Sequence, residues 1–299
     1  MERFIAIVNP AAGGGRAAGL AGPKLAELRR TGLAIDVIAS SSQGHATQLA
    51  REAYAQGYRR FLAVGGDGTA HEILNGIFSE GVPQRRVALG FLPFGTGNSF
   101  LRDFTKDGVA GSVAALLAGR KRAVDVLRLT HAAGETYSLN LISVGFTADV
   151  GAITNRRFKP FGHLGYLLGV FVRLAQLDRR AFPLRSDDES NWDQRPCVFL
   201  TFNNSQFTGG TMQIAPDANP SDGLIEFVRC GPVSRLSLLR TLPKIYDGRH
   251  MQHPEVSRKP VRRVEFNTPE AVDVMIDGEI LTLKLQSLDI LPAALDVYI

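Results

Sequence analysis

Three glycine-rich loops in the first 100 residues constrain this chain most, because each follows directly on a short apolar run. Their sequences are NPAAGGGR at residues 9–16, GGDG at residues 65–68 and PFGTGNS at residues 93–99. Short apolar runs that end in glycine are typical of strands buried on both faces of a parallel sheet. Helical patterns separate these runs, so the alternation predicts a doubly wound α/β domain over residues 1–125. Ligands of such sheets bind outside the carboxyl ends of the strands, where all three loops fall.

The middle loop carries the most specific chemistry. Its three glycines let the backbone turn sharply around Asp67 and approach a ligand closely. Thr69 and Glu72 match a capping box, which predicts that a helix opens at this point. The N–H groups at such a helix start bind anions, usually phosphate. The alternative is a tight turn before a capped helix, but a carboxylate beside a phosphate needs a cation such as Mg²⁺ between them.

The pattern changes near residue 123, where many short strands with turn signals replace the alternation. These strands predict an antiparallel β-sandwich or barrel over residues 126–287. Residues 136–144 are expected to form one strand, and helical inserts are expected at residues 162–177 and 233–246. The last segment, residues 288–299, could return to the first domain.

Composition narrows the class of protein without choosing a function. The 299 residues are 44% hydrophobic with a net charge of +5, which suits a globular protein that meets a nucleotide, an anionic membrane surface or nucleic acid. No apolar run reaches the length of about 18 residues that spans a membrane. Two cysteines without metal or redox spacing, and no leader pattern at the start, lead us to expect a cytoplasmic protein.

Six motifs in this order resemble the diacylglycerol kinase catalytic-domain family, in particular its soluble bacterial lipid kinases. Each motif is weak alone, but the ordered set covers nearly the whole chain. The motifs are Asn9-Pro10 with its loop, Gly44-His45-Ala46, Gly65-Gly66-Asp67-Gly68-Thr69, Gly95-Thr96-Gly97-Asn98, Pro220-Ser221-Asp222-Gly223 and Asp277-Gly278-Glu279. The resemblance implies a phosphofructokinase-like α/β domain and a β-sandwich, with the active site in the cleft between them. It also implies that the last segment returns to the first domain.

The resemblance implies binding of ATP by the loops of the first domain, with Asp67 as a catalytic residue that holds Mg²⁺. The nucleotide-binding residues that it implies are Asn9, Ser40, Gly65, Gly66, Asp67, Gly68, Thr69, Glu72, Thr96 and Asn98. Each has a plainer alternative. Asn9 could form an ordinary Asn-Pro turn, Ser40 could be a polar turn residue, and the third loop could be a helix start with Ser99 as its N-cap.

In the second domain, the resemblance implies that Glu279 is the general base that takes a proton from a lipid hydroxyl. The alternative is an Asp-Gly hairpin turn followed by a solvated edge residue. A second, structural Mg²⁺ is implied at Asp222, with the carbonyl groups of Asn219 and Leu224 as further ligands. The alternative there is a Pro-x-Asp-Gly turn without a metal.

Two features bear on the acceptor and its surroundings. Family members carry an aspartate directly after the Gly-Thr-Gly-Asn motif, in a water network that also uses an aspartate at the position of Asp125, whereas this chain has Ser99 after that motif. A basic and aromatic tract follows, with two readings: a lip that contacts anionic lipid headgroups, or an amphipathic helix with a solvated basic face. Its basic residues are Arg156, Arg157, Lys159, Arg173, Arg179, Arg180 and Arg185.

The sequence therefore indicates an ATP- and Mg²⁺-dependent lipid kinase that acts on a diacylglycerol-like or sphingoid lipid. It would be cytoplasmic and contact the inner membrane surface transiently, without binding nucleic acid. Two chains could pair as a homodimer through an exposed strand edge. The rival readings are a soluble metabolite kinase of the NAD kinase or phosphofructokinase type, and a silent nucleotide- or lipid-binding protein in which Ser99 has ended turnover.

Overall fold

A computed structural model describes residues 3–153, 172–174, 176–187 and 189–299. The chain divides into two compact units. The first contains Met1–Val126, Gly209–Thr211 and Leu291–Ile299, and the second contains Leu127–Thr208 and Met212–Ile290. The chain therefore passes between the units several times.

A parallel sheet flanked by helices forms the first unit. Its strands are β1 (Phe4–Val8), β2 (Ile35–Ala39), β3 (Arg60–Gly65) and β4 (Ala88–Pro93), and its helices are α1 (Arg16–Arg30), α2 (His45–Ala55), α3 (Asp67–Ile77) and α4 (Gly108–Ala118). The strand order is β2-β1-β3-β4, and every pair is parallel. Every residue of β1 is buried, as expected for a strand covered on both faces. Gly76 lets α2 and α3 pack closely, because a Cβ there would lie 2.3 Å from the carbonyl oxygen of Thr47.

Antiparallel strands form most of the second unit. They are β5 (Lys121–His131), β6 (Gly134–Ser138), β7 (Leu141–Gly145), β8 (Leu184–Ser186), β9 (Phe199–Asn203), β10 (Phe207–Thr208), β11 (Met212–Gln213), β12 (Ile225–Cys230), β13 (Val256–Val261), β14 (Arg263–Phe266), β15 (Val272–Ile276), β16 (Glu279–Leu283) and β17 (Leu285–Tyr298). Among the residues that the structure describes, the short α-helices α5 (Phe146–Ile153) and α6 (Arg235–Thr241) accompany them. Six strands pair in the order β13-β12-β9-β7-β15-β16. In the other sheet β17 pairs with β5 and β14, β5 also pairs with β6, and β14 with β8.

One apolar core fills the space between these two sheets and makes the second unit a sandwich. It includes Leu127 from β5, Val144 from β7 and Val264 from β14, each of them fully buried. The ring of Phe202 stacks on Phe227 at 4.9 Å and meets Phe266 edge-on at 5.5 Å. The structure thus confirms the predicted fold class, a parallel α/β arrangement followed by an antiparallel sandwich.

The end of β17 lies in the first unit. Asp296 and Val297 pair in parallel with Ala88 and Leu89 of β4. The backbone bends before this pairing, because Ala293 has a φ of 50°. The buried Asp125 supports the bend, since its Oδ1 accepts a hydrogen bond of 2.7 Å from the Ala293 N–H.

Several predicted elements differ in the structure. The single strand expected over residues 136–144 is wrong, because the chain turns between β6 and β7, where the carboxylate of Asp277 accepts three backbone N–H groups. The helix expected over residues 233–246 divides into α6 and a 3-10 helix, Leu242–Tyr246, in which Pro243 has no N–H to donate. Most of the insert expected over residues 162–177 lies outside the described residues.

Both cysteines are free thiols in the interior of the second unit. Burial raises the pKa of Cys197 to about 11 and that of Cys230 to about 12, so both stay protonated near neutral pH.

Candidate active site

The three glycine loops of the first unit meet at the carboxyl ends of β1, β3 and β4. They pack backbone against backbone: a Cβ on Gly95 would lie 2.4 Å from the Cα of Gly66, and one on Gly13 would lie 2.3 Å from the carbonyl oxygen of Phe94. The Gly95 N–H also donates to the Gly65 carbonyl at 2.9 Å. Side chains at these positions would separate the loops, so glycine is required for the close approach rather than for a turn alone.

Asp67 joins the second loop to the third. It is the first residue of α3, and its Oδ2 accepts a 2.9 Å hydrogen bond from the Ser99 N–H. Its Oδ1 lies 3.4 Å from the Phe100 nitrogen, which also donates to it. A carboxylate oxygen has two lone pairs, so the side chain can order this loop and still contact a cation.

The predicted capping box of Thr69 and Glu72 is wrong. Helix α3 begins at Asp67, after Gly66 in an extended conformation, and no side chain caps it. Thr69 instead lies buried in the first turn, with its Oγ1 2.2 Å from where a Cβ on Gly65 would lie. Glu72 reaches a different helix, because its Oε2 accepts a 3.0 Å hydrogen bond from the Ala46 N–H at the start of α2.

Asn9 and Ser40 lie at the same edge of the sheet. The Asn9 amide donates to the Thr69 hydroxyl at 3.3 Å, and its Oδ1 accepts from the Ala11 N–H at 3.1 Å. The first contact brings the first loop to the second, and the second contact is the Asn-Pro turn. Ser40 is buried, and its hydroxyl donates to the Val8 carbonyl at the end of β1, at 3.3 Å.

The third loop presents one exposed and one half-buried polar side chain. Thr96 is exposed, whereas Asn98 has a φ of 53° and donates from its amide to the carbonyls of Gly95 at 3.0 Å and Pro93 at 3.3 Å. The Asn98 Oδ1 is buried and accepts no hydrogen bond within the part of the chain that the structure describes. A buried oxygen without a partner beside this group of loops fits a ligand that brings donors or a cation.

Ser99, where the resembling family has an aspartate, makes a contact that the sequence did not predict. Its Oγ accepts a 2.8 Å hydrogen bond from the Gly210 N–H. Gly210 belongs to Gly209–Thr211, the short segment of the first unit that lies between β10 and β11 in the chain. Ser99 does not cap the 3-10 helix that follows it, Phe100–Asp103, by a side-chain hydrogen bond.

The hairpin of Asp277 and Gly278 positions Glu279 in the second unit. Both turn residues have positive φ, 49° and 95°, and they connect β15 to β16 with Ile276 paired to Glu279, so the motif does form the Asp-Gly hairpin turn given above as the alternative. The Asp277 carboxylate also accepts a 2.6 Å hydrogen bond from the Ser138 hydroxyl. Glu279 is half-buried and begins β16, the last strand in its sheet.

The turn around Asp222 has the local geometry of an Asx turn. Asp222 is exposed, and its Oδ1 accepts from the Leu224 N–H at 3.0 Å, while the Asn219 Oδ1 accepts from the Ser221 N–H at 3.2 Å. Burial raises the pKa of nearby Glu226, and the charge of Asp222 adds to that rise. Among the described residues no cluster of three or more His, Cys, Asp and Glu side chains could hold a metal. A cation here would therefore depend on carbonyl oxygens and water.

The described members of the basic tract mostly form internal contacts. Arg173 and Arg180 both donate to Asp149, Arg179 donates to the Val233 carbonyl, and Arg185 forms an ion pair with Glu265. The remaining three, Arg156, Arg157 and Lys159, lie outside the described residues. The contacts of the described arginines favour the structural reading of this part of the tract.

Two family models together match almost the whole chain. The diacylglycerol kinase catalytic domain matches residues 3–129, and the YegS C-terminal NAD kinase beta sandwich-like domain matches residues 140–299. The chain belongs to the diacylglycerol kinase catalytic-domain family. As a member of this family it is a lipid kinase.

Curated members of the diacylglycerol kinase family are similar to the chain over much of its length. A diacylglycerol kinase from Mycobacterium tuberculosis is 29% identical, covering 99% of this chain and 94% of that protein. One from Staphylococcus saprophyticus is 26% identical, covering 85% and 81% respectively. A crystal structure of a Bacillus anthracis diacylglycerol kinase has a TM-score of 0.69 at 18% identity, covering 99% of this chain and 96% of that one, which supports the fold.

No helix among the described residues is long and apolar enough to cross a membrane.

Proposed function

We propose that this lipid kinase transfers the γ-phosphoryl group of ATP, with Mg²⁺, to a hydroxyl of a diacylglycerol-like or sphingoid lipid. Three glycine loops meet at the start of α3, and this meeting supports the proposal most strongly. The Asp67 carboxylate lies beside these loops, as does the Asn98 Oδ1, which has no hydrogen-bond partner among the described residues. Phosphoryl transfer depends mainly on positioned phosphates and neutralised charge, which this arrangement supports.

The loops of the first unit would bind the nucleotide. Gly66 and Gly95 allow a phosphate to approach the backbone, and the N–H groups at the start of α3 favour negative charge. Asn9, Ser40 and Thr69 maintain the shape of this edge by the hydrogen bonds described above. Glu72 contributes by fixing the start of α2 next to α3. Thr96 is exposed and accessible to the nucleotide.

The residues present fit a magnesium ion. Carboxylate and amide oxygens are the protein ligands that Mg²⁺ prefers, and Asp67 and the Asn98 Oδ1 supply one of each. When bound, the ion would neutralise charge on the phosphates of ATP. Asp67 would hold it while keeping the third loop in place.

Glu279 would accept the proton of the lipid hydroxyl. The Asp277 carboxylate fixes the hairpin that carries Glu279, since four groups from the turn between β6 and β7 donate to it. A base on an anchored hairpin is positioned with little conformational freedom, which favours proton transfer in a defined geometry. Asp222, with the carbonyls of Asn219 and Leu224, would hold a second, structural Mg²⁺.

The test is transfer of label from γ-labelled ATP, with Mg²⁺, into a mixed lipid extract. We expect one lipid class to be labelled, and Glu279→Ala or Glu279→Gln to lower turnover at least about 100-fold with ATP affinity unchanged. Glu270→Ala, an exposed glutamate before β15, is the matched control and should retain activity. Wild-type rates in both Glu279 variants would remove this residue from the mechanism.

Asp67→Asn tests the cation separately. It should raise the Mg²⁺ concentration needed for half-maximal activity at least about tenfold, because an amide binds Mg²⁺ more weakly than a carboxylate. Thermal unfolding measured beside activity separates this effect from loss of the hydrogen bonds to Ser99 and Phe100. An unchanged Mg²⁺ requirement in a folded variant would reject the assignment.

A soluble metabolite kinase is the second candidate, because the matched sandwich model is described as NAD kinase-like. Labelling of a soluble acceptor, with none of any lipid, would favour it. Binding of ATP without turnover of any acceptor would favour the silent-binder reading instead.

We further propose that the kinase meets its lipid by transient contact with the inner membrane surface. A homodimer formed through a strand edge remains a prediction, which sedimentation velocity tests.

A further inference from the structure

Helix α6 and the 3-10 helix that follows it expose apolar side chains on the second unit. Leu236, Leu239 and Tyr246 are 54%, 41% and 60% exposed, although they lie within eleven consecutive residues. A single exposed leucine is ordinary, but three large apolar side chains in one short segment indicate a contact surface.

Helical geometry places Leu236, Leu239 and Arg240 on one face of α6, because they are separated by three and four positions. The opposite face is held in the core, where Leu238 is buried, with Leu242 and Ile245 packed partly against the same cluster. The segment therefore carries apolar side chains on its exposed face as well as on its buried face. Packing in the core accounts for the apolar side chains of the buried face only.

Basic residues surround the exposed apolar ones. We call the following set the α6 face: Arg235, Leu236, Leu239, Arg240, Lys244 and Tyr246, all exposed. The side chains of its three basic residues form no ion pair or hydrogen bond within the described chain, and the nearby Asp247 is already paired with Arg249 at 2.6 Å. The face thus combines an uncompensated positive charge with apolar groups that point to solvent.

We propose that the α6 face docks the protein on an anionic lipid bilayer. Positive charge attracts anionic headgroups, leucine side chains enter the boundary between headgroups and acyl chains, and tyrosine is favoured at that boundary. The positive charge of the face favours an anionic bilayer over a second copy of the chain as the binding partner, because two such faces would repel each other. The purpose of the contact, access to a lipid acceptor, rests on the proposed function, but the contact itself does not.

Anchoring of α6 makes the face a fixed platform. The Ser234 hydroxyl caps the helix by accepting from the Ser237 N–H at 3.1 Å, and the Ser237 hydroxyl lies 2.8 Å from Nε2 of His253. A prearranged face loses less conformational entropy on binding than a segment that must fold.

The test is sedimentation of the full-length protein with vesicles of phosphatidylcholine alone or with phosphatidylglycerol, without ATP. We expect binding only to the anionic vesicles and weaker binding at high salt. The pair Leu236→Ser with Leu239→Ser, and separately the pair Arg240→Glu with Lys244→Glu, should each lower vesicle affinity at least about tenfold. Matched controls are Leu117→Ser, an equally exposed leucine of α4, and Arg51→Glu on α2, both with wild-type binding.

Three outcomes would overturn the proposal: no binding of the wild type to anionic vesicles, equal binding of all variants, or loss of self-association in the variants with vesicle binding unchanged. Transfer of label to a short-chain diacylglycerol dispersed as monomers tests the proposed function by itself. If the α6-face variants phosphorylate this monomeric lipid at the wild-type rate but no longer bind vesicles, the variants are folded and have lost only the ability to dock. Absence of that activity in the wild type would reject the function but leave the docking result standing.

Discussion

The two units position their candidate residues by different means. In the first unit, main-chain atoms of three loops touch one another through glycines, and the side chains between them mostly bind backbone. In the second, a single carboxylate, that of Asp277, holds a hairpin to a turn that lies more than 130 positions away in sequence. Added volume should therefore damage the first unit most, whereas lost charge should damage the second.

The largest effect is expected from Gly95→Ala. Its Cβ would lie 2.4 Å from the Cα of Gly66, and backbone cannot rotate away as a side chain can. We expect a loss of about 3 kcal/mol in the free energy of unfolding and about a 100-fold loss of turnover, from displaced loops. Denaturant unfolding and the kinase assay measure both. Gly19→Ala in α1, where nothing in the described chain beyond the adjacent residues and the backbone of the helix lies within 4 Å of the added Cβ, should instead stabilise the protein by about 0.5–1 kcal/mol.

Asp277→Ala should follow, with a loss of about 3 kcal/mol in the free energy of unfolding. The change removes the acceptor of one hydroxyl and three backbone N–H groups and leaves donors without partners. Asp277→Asn should cost about half as much, since asparagine tolerates the positive φ but lacks the charge. Asp273→Ala on the neighbouring β15, which removes a single contact to the Thr282 hydroxyl, should cost about 0.5 kcal/mol. Equal losses at both positions would contradict the role of Asp277 as an anchor.

Ser99→Ala should cost about 1 kcal/mol, because the buried Gly210 N–H loses its acceptor. Ser112 provides the control: it is as deeply buried, but its hydroxyl has no partner among the described residues, so Ser112→Ala should be neutral or slightly stabilising. Chemical denaturation distinguishes the two variants. If they behave alike, the contact between Ser99 and Gly210 does not contribute to stability.

The smallest effect is expected in the pH dependence of stability, through two histidines of the second unit. Burial lowers the pKa of His250 and of His131 below the ordinary value of 6.5. The folded state then binds fewer protons than the unfolded state, so stability falls as pH drops below about 6.5 and levels off once pH passes the lowered folded-state values. Thermal unfolding between pH 7.5 and pH 5 should show this fall, and His250→Gln should reduce it. An unchanged pH dependence in that variant would contradict the assignment to His250.

Local patterns predicted the sheet and loops of the first unit, because apolar strands and glycine turns act over a few residues. The same patterns placed the start of α3 wrongly, at Thr69, because Thr69 and Glu72 match a capping box. The helix begins instead at Asp67, directly after the extended Gly66. The β15–β16 turn was predictable from Asp277-Gly278 alone.

Long-range contacts were not predictable from one sequence. Ser99 and Gly210 are 111 positions apart, and the sequence around each of them gives no sign that the two residues interact. The break between β6 and β7 likewise depends on a carboxylate far along the chain, so periodicity suggested a single strand. The roles of Glu279, Asp67 and Asp222 in catalysis and metal binding remain predictions drawn from family resemblance.

The first unit is discontinuous in the chain, and this affects how such a protein can be cut or recombined. A fragment that stops at Val126 lacks the end of β17, and so leaves β4 without the neighbour that pairs with Ala88 and Leu89. It would present an open strand edge, a common starting point for aggregation. A gene segment that ends between the two units in sequence thus cannot encode an intact first unit, and shuffling of such modules would have to conserve both ends of the reading frame.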